Sequence, residues 1–172
     1  MTIDVTTTDL LSDAMLARFD ERAPIYEFQL AVERVHAAAE MARSLGFAFV
    51  LTARAENFLH GKPDLDDTIR RLQAFEKAGA DVLYAPGLRD LATIRTVASS
   101  VTRPLNVVVG TLEPGITAQD LAQAGVKRIS IGGALCRLAL AHVMKGAREM
   151  KEQGSFTWLA EMMPVQELKR IF

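Results

Sequence analysis

Cysteine is almost missing from this chain, with Cys136 alone among 172 residues. That excludes a disulfide framework and fits a reducing, cytoplasmic setting. At the start of an expected helix, Cys136 reads as a small buried filler rather than an activated thiol. A charge excess is missing too. Twenty Lys and Arg against twenty-one Asp and Glu leave a net charge of −1, which gives no reason to expect nucleic acid or an anionic membrane as partner. No apolar run approaches membrane-spanning length. Residues 1–9 have neither the basic region nor the apolar core of a signal peptide, so no leader is expected. Metal-like spacing is also lacking. His36 lies in an expected helix with no second ligand type near it and reads as a surface or boundary residue.

What the chain does have is one stretch around which the others arrange, Phe47-Ala-Phe-Val-Leu-Thr-Ala-Arg-Ala-Glu-Asn-Phe-Leu-His60. Residues 47–51 are apolar and read as a buried parallel strand; the polar tail reads as its C-terminal mouth, where α/β folds bind ligands. Alternation puts Val50, Thr52, Arg54 and Glu56 on one face and Phe49, Leu51, Ala53 and Ala55 on the other. An arginine beside an apolar run needs an anion, and a substrate carboxylate or phosphate is the candidate. An internal Arg54–Glu56 ion pair explains the same residues equally simply. His60 is either an acid–base group or an exposed loop histidine.

Before this stretch, residues 8–18 suit a short amphipathic helix and residues 26–45 a longer one stopped by Gly46. After it come helices expected at 66–78, 90–101, 118–124 and 135–153, alternating with strands near 81–87, 103–110 and 127–133. A last helical stretch, 158–171, contains Pro164 and is expected to break there. One strand face carries Phe49, Leu51, Leu83, Leu105, Val107, Val109, Ile129 and Ile131. The other carries Thr52, Arg54, Glu56, Tyr84, Asn106, Ser130 and Gly132. The expected fold is α/β, a partial (β/α) TIM-type barrel of four parallel strand–helix units preceded by two helices. Residues 1–24 form a helical extension and 25–172 the half-barrel with its C-terminal helices. A closed barrel needs eight strands and this chain supplies four, so two edges and one face need covering. A second chain, the N-terminal helices, or a small doubly wound sheet instead would each meet that need. A homo-oligomer is expected.

At this point the sequence resembles the isocitrate lyase and phosphoenolpyruvate mutase superfamily. The resemblance rests on Leu51-Thr-Ala-Arg-Ala-Glu-Asn57, Leu65-Asp-Asp-Thr-Ile-Arg-Arg-Leu-Gln-Ala-Phe75, Ala78-Gly-Ala-Asp-Val-Leu-Tyr-Ala-Pro-Gly87 and Gly125-Val-Lys-Arg-Ile-Ser-Ile-Gly-Gly133. It implies a (β/α)8 barrel, oligomeric with an exchanged C-terminal helix, that uses Mg2+ to cleave or rearrange a bond beside a 2-oxo or enolate carboxylate. Arg54 matches the arginine that binds the substrate's anionic group, and Glu56 an acidic position beside it. Asn106 lies near a family asparagine. Pro86 stands where many lyases of the group carry a glutamate. The family's metal-binding aspartates and its Lys-Cys-Gly-His loop have no match in the first forty-six residues; Asp4, Asp9, Asp13 and Asp20 are spaced as helix caps.

The expected function follows from these matches. The chain looks like the second half of a Mg2+-dependent C–C lyase or phosphonomutase acting on small 2-hydroxy or 2-oxo carboxylates or phosphonates. Arg54 and Glu56 are its catalytic candidates. Arg54, Asn106, Gly132 and Gly133 are its substrate-binding candidates, the glycine pair also being explained by a tight strand-to-helix turn. No metal ligand is assigned, and little lyase activity is expected from this chain alone. The alternative is a non-catalytic, self-associating module. Leu138, Leu140, Val143, Met144 and Ala147 would form a core or subunit-interface face, and Trp158, Met162 and Met163 a docking surface.

Overall fold

Four short strands pair side by side in chain order, all parallel: β1 (Thr52–Arg54), β2 (Val82–Tyr84), β3 (Leu105–Val108) and β4 (Arg128–Ser130). Helix α1 (Phe28–Ser44) precedes them, and α2 (Leu65–Lys77), α3 (Leu91–Ser99) and α4 (Ala118–Gln123) separate them. The computed structural model describes residues 25–171. The helix expected at 8–18, the extension 1–24 and the early aspartates therefore lie outside the described residues. The chain divides into two compact units, one ending at Ser130 and one starting at Ile131.

The first unit is a run of strand–helix modules wound in one direction. Sequential order 1-2-3-4 is the order of a barrel arc. A doubly wound sheet needs the order to reverse, so that alternative is excluded. The helix-facing side of the sheet is Ala53, Ala55, Leu83, Ala85, Leu105 and Val107, all buried. Against it pack Leu72 and Phe75 of α2, Ile94 and Val97 of α3, and Leu121 and Ala124 of α4.

Local chemistry sets the element boundaries. Asp64 caps α2 by accepting from the Asp67 amide at 2.9 Å, and Asp90 caps α3 through Thr93 N at 2.8 Å. Thr117 and Asp120 form a reciprocal capping box on α4. Gly79, at φ +108°, turns the chain where a Cβ would strike Arg43 and Ala39. Asp81 then pins the start of β1: its carboxylate accepts from Leu51 N at 2.9 Å, and its own amide donates to Leu51 O at 3.0 Å. The Ala-Gly-Ala-Asp element is thus a turn and a strand clamp.

Residues 47–51 do not form the expected buried strand. Phe47 and Val50 are exposed, and the strand begins at Thr52. β1 is an edge of the described sheet, so a run ahead of it finds no neighbouring strand there. At the opposite edge Ile129 and Ile131 are exposed as well, against the expectation that they line the apolar face. Within the strands, the buried residues are Ala53 of β1, Val82 and Leu83 of β2, and Leu105, Asn106 and Val107 of β3, with none in β4.

The second unit holds α5 (Ala134–Gln153), a 3-10 turn (Thr157–Glu161) and α6 (Val165–Ile171), with the break at Pro164. Gly154, at φ +63°, ends α5 in the left-handed region. Glu149 gathers the chain beyond it, accepting from Ser155 Oγ at 2.9 Å and Thr157 Oγ1 at 2.7 Å. Trp158 lies on Gly146, where a Cβ would sit 3.3 Å from the indole Cγ. Cys136 is exposed rather than buried, on a helix of which Gly146 alone is buried. Leu138, Leu140, Val143 and Met144 are exposed too. No helix is long and apolar enough to cross a membrane among the described residues.

Candidate functional site

Register decides which side chains meet. Arg54 pairs with Tyr84, Tyr84 with Asn106, and Asn106 with Arg128. These four form one row across the sheet and leave it on the face opposite the helices. Glu56, two residues beyond Arg54, lies on the same face. Three of the sequence candidates, Arg54, Glu56 and Asn106, thus share a face of the sheet, Arg54 at the C-terminal end of β1 and Asn106 near the start of β3.

Arg54 is half-buried, with its guanidinium carbon 5.2 Å from the Tyr84 ring centroid, within cation–π reach. Its Nε lies 2.8 Å from Glu56 Oε1, and Nη2 donates to Oε2 over a long 3.4 Å. The short contact is one of charge only. The Nε–H is not aligned on that oxygen, so among the described residues this buried donor has no hydrogen-bond acceptor. The pair is therefore a loose clamp whose best planar geometry is unused.

Asn106 is 1% exposed. Its Oδ1 accepts from Arg128 Nη1 at 2.9 Å, and its Nδ2 donates to Ser130 Oγ at 3.0 Å. A buried amide left without such partners would cost about 1–3 kcal/mol, so this network fixes the orientation of the amide. Burial pushes the Tyr84 phenol above its ordinary value; the charges of Arg54 and Arg128 oppose that rise and Glu56 adds to it.

The loop after β1 is anchored from below. Asn57, 2% exposed, donates from Nδ2 to Asp67 Oδ2 at 2.8 Å, and its backbone carbonyl accepts from Lys62 N at 2.9 Å. Asp67 also accepts from Arg71 Nε at 2.6 Å and pairs with Arg70. Burial pushes the Asp67 carboxyl up. The hydrogen bonds from Arg71, Arg70 and Asn57 outweigh it and hold the group down at about 2. Gly87, at φ +96°, brings the loop after β2 against Phe58, 2.9 Å from where a Cβ would stand.

Gly132 (φ +56°) and Gly133 lie in the turn into α5, in the second unit, so the row is built without them. Gly133 O accepts from Arg137 N at 2.9 Å, an ordinary helix-start contact. His60 is exposed, and its amide closes a turn onto Glu56 O at 3.1 Å. His36 is exposed beside Glu40. Sequence reasoning missed Arg128 and Asn57. The signal for Arg128 was present, since stepping back two residues from Ser130 on the polar face lands on it.

A metal ion finds no cage here. Among the described residues no three His, Cys, Asp or Glu side chains gather, and Glu56, the carboxylate of this face, is already set against Arg54. Mg2+ asks for oxygen ligands in near-octahedral array, which these residues do not offer.

A family model described as phosphoenolpyruvate phosphomutase matches residues 10–151. A solved Burkholderia cenocepacia J2315 protein, described as a lyase/mutase, is 47% identical at a TM-score of 0.83 over 88% of this chain and 55% of its own. Phosphonopyruvate hydrolase, solved with oxalate and Mg2+, is 23% identical at a TM-score of 0.68 over 87% of this chain and 53% of its own, a likeness of fold. Oxaloacetate decarboxylase of Bradyrhizobium diazoefficiens (strain JCM 10833 / BCRC 13528 / IAM 13628 / NBRC 14792 / USDA 110) is 34% identical over 89 residues, 49% of this chain and 30% of that protein. The chain spans about half the length of these solved relatives and under a third of the curated one.

Proposed function

The chain belongs to the phosphoenolpyruvate phosphomutase family, and from that premise we propose that it carries the substrate-anion side of a lyase or mutase site for small 2-oxo or 2-hydroxy carboxylates or phosphonates. One observation carries this reading: Arg54 keeps a buried, misaligned Nε–H at the mouth of β1. A ligand carboxylate or phosphonate oxygen in the guanidinium plane would supply what Glu56 does not, two near-linear charge-assisted hydrogen bonds. Glu56 holds the guanidinium toward the mouth, Tyr84 stacks beneath it, and Asn106 fixes the side chains of the adjoining strands.

In this family Mg2+ supplies the counter-charge for an enolate-like intermediate. The described residues do not fit that ion, so no step is assigned to it, and binding rather than turnover is the activity proposed for this chain. Relatives that handle oxaloacetate, phosphonopyruvate and oxalate set the choice of ligand. The test is thermal unfolding with oxalate or pyruvate, with and without Mg2+. A ligand at about 100 times its Kd adds ~2.7 kcal/mol. Stabilisation that disappears in Arg54→Ala supports the site; an unchanged melting curve at millimolar ligand, or an equal response in Arg54→Ala, refutes it.

A second reading, a self-associating module, is favoured by the exposed Leu138, Leu140, Val143, Met144, Met162 and Met163 of the second unit. Light scattering that finds a monomer would remove it.

A further inference from the structure

Tyr84 ends β2 as Arg54 ends β1, and register sets the two side by side on the face away from the helices. The guanidinium carbon of Arg54 lies 5.2 Å from the ring centroid, so the cationic head rests on the tyrosine. The phenol itself feels the charges of Arg54 and Glu56. Its neighbours are already committed. Asn106 is 1% exposed and engaged at both ends, by Arg128 and by Ser130, so it offers a ligand nothing. Glu56 is set against Arg54. The Tyr84 hydroxyl is different. Among the described residues nothing hydrogen-bonds its oxygen, and although the residue is half-buried, that oxygen is not sealed from solvent. A phenol O–H can donate one hydrogen bond, and here that bond is unspent.

We propose that Tyr84 is a further ligand-binding residue: its hydroxyl donates to the oxygen on the carbon next to the carboxylate held by Arg54, so the site prefers 2-oxo carboxylates to plain ones. This rests on the anion-site reading above and extends it from charge to the neighbouring functional group. A guanidinium answers the carboxylate and holds propionate as well as pyruvate. The keto oxygen one carbon away needs a donor of its own, and the phenol stands next to the arginine on the adjoining strand. Burial raises that phenol above its ordinary value, so at pH 7 it is a neutral donor, which suits a neutral carbonyl oxygen. The ring has a separate part as the floor under Arg54, and phenylalanine would keep it. Removing the oxygen alone therefore separates the two parts.

Ligand-observed NMR titration at pH 7 without Mg2+ tests this with pyruvate and propionate, which carry the same charge and differ in the keto oxygen. Wild type binds pyruvate about fivefold more tightly than propionate, the usual weight of one neutral hydrogen bond. Tyr84→Phe binds the two within about twofold of each other and keeps the wild-type affinity for propionate. Arg54→Ala loses both ligands. A pyruvate preference kept in Tyr84→Phe, or absent from wild type, overturns the proposal; propionate binding that still depends on Arg54 then leaves the anion site standing. An equal loss of both ligands in Tyr84→Phe also overturns it, since the tyrosine would then act through packing alone. Binding of neither ligand to wild type, or undiminished binding of both to Arg54→Ala, removes the anion site and this proposal with it.

Discussion

Replacing Asp67 with Asn tests the anchor beneath the site more sharply than any change at the rim. The carboxylate is held at about 2 against an ordinary 3.8. At 1.36 kcal/mol per pKa unit that difference is worth about 2.4 kcal/mol at neutral pH. The Asp67 side chain is 18% exposed and its Arg70 partner 62%, so solvent screening brings the expected figure nearer to 2 kcal/mol. A folded-state pKa below the unfolded one contributes stability above about 3.8 that is lost as pH falls toward 2. Roughly half of it should remain at pH 3 and only a few tenths of a kcal/mol at pH 2. Urea unfolding of wild type and Asp67→Asn at pH 7, 4 and 3 reads this directly. The two proteins should differ by about 2 kcal/mol at pH 7 and by about 1 kcal/mol at pH 3. A gap that stays level across that range, or lies below about 0.5 kcal/mol at pH 7, would show that the Asn57–Asp67–Arg71 network does not carry the charge-dependent stability assigned to it.

Two further substitutions probe the frame around that network. Leu72→Ala removes a side chain with 0% exposure beneath the inner strands and should cost about 2–5 kcal/mol in chemical denaturation; a loss under 1 kcal/mol would mean that this core is not packed as described. Gly87→Ala places a Cβ against Phe58 at a positive φ and should lower the melting temperature; an unchanged melt would show that the two mouth loops do not touch.

The helices were legible because their signals are local. Asp64, Asp90 and the Thr117–Asp120 box start three of them, and Gly79, Gly125 and Gly154 close three, each within a residue or two of the expected ends. Strands of three or four residues leave almost no alternation to read, which is why an apolar run at 47–51 stood in for a strand that begins at Thr52. Hydrophobicity also says nothing about edges. Phe47, Val50, Ile129 and Ile131 are as apolar as Leu83 and Leu105, but they lie in or beside the outer strands of the described sheet, and exposure follows position. Arg54, Glu56 and Asn106 could be placed on one face by counting in twos. Arg128 could not be tied to Asn106 without the β3–β4 register, because a shift of one residue would have sent it to the other side.

Gly146 and Trp158 make the second unit optically separate from the first. The single tryptophan sits there, in the 3-10 turn and against Gly146 of α5, whereas Tyr26 and Tyr84 belong to the first. Indole emission therefore reports on that unit alone. A denaturation curve followed by fluorescence and one followed by far-ultraviolet dichroism reveal, by coinciding or separating, whether the strand arc and its trailing helices melt as one body.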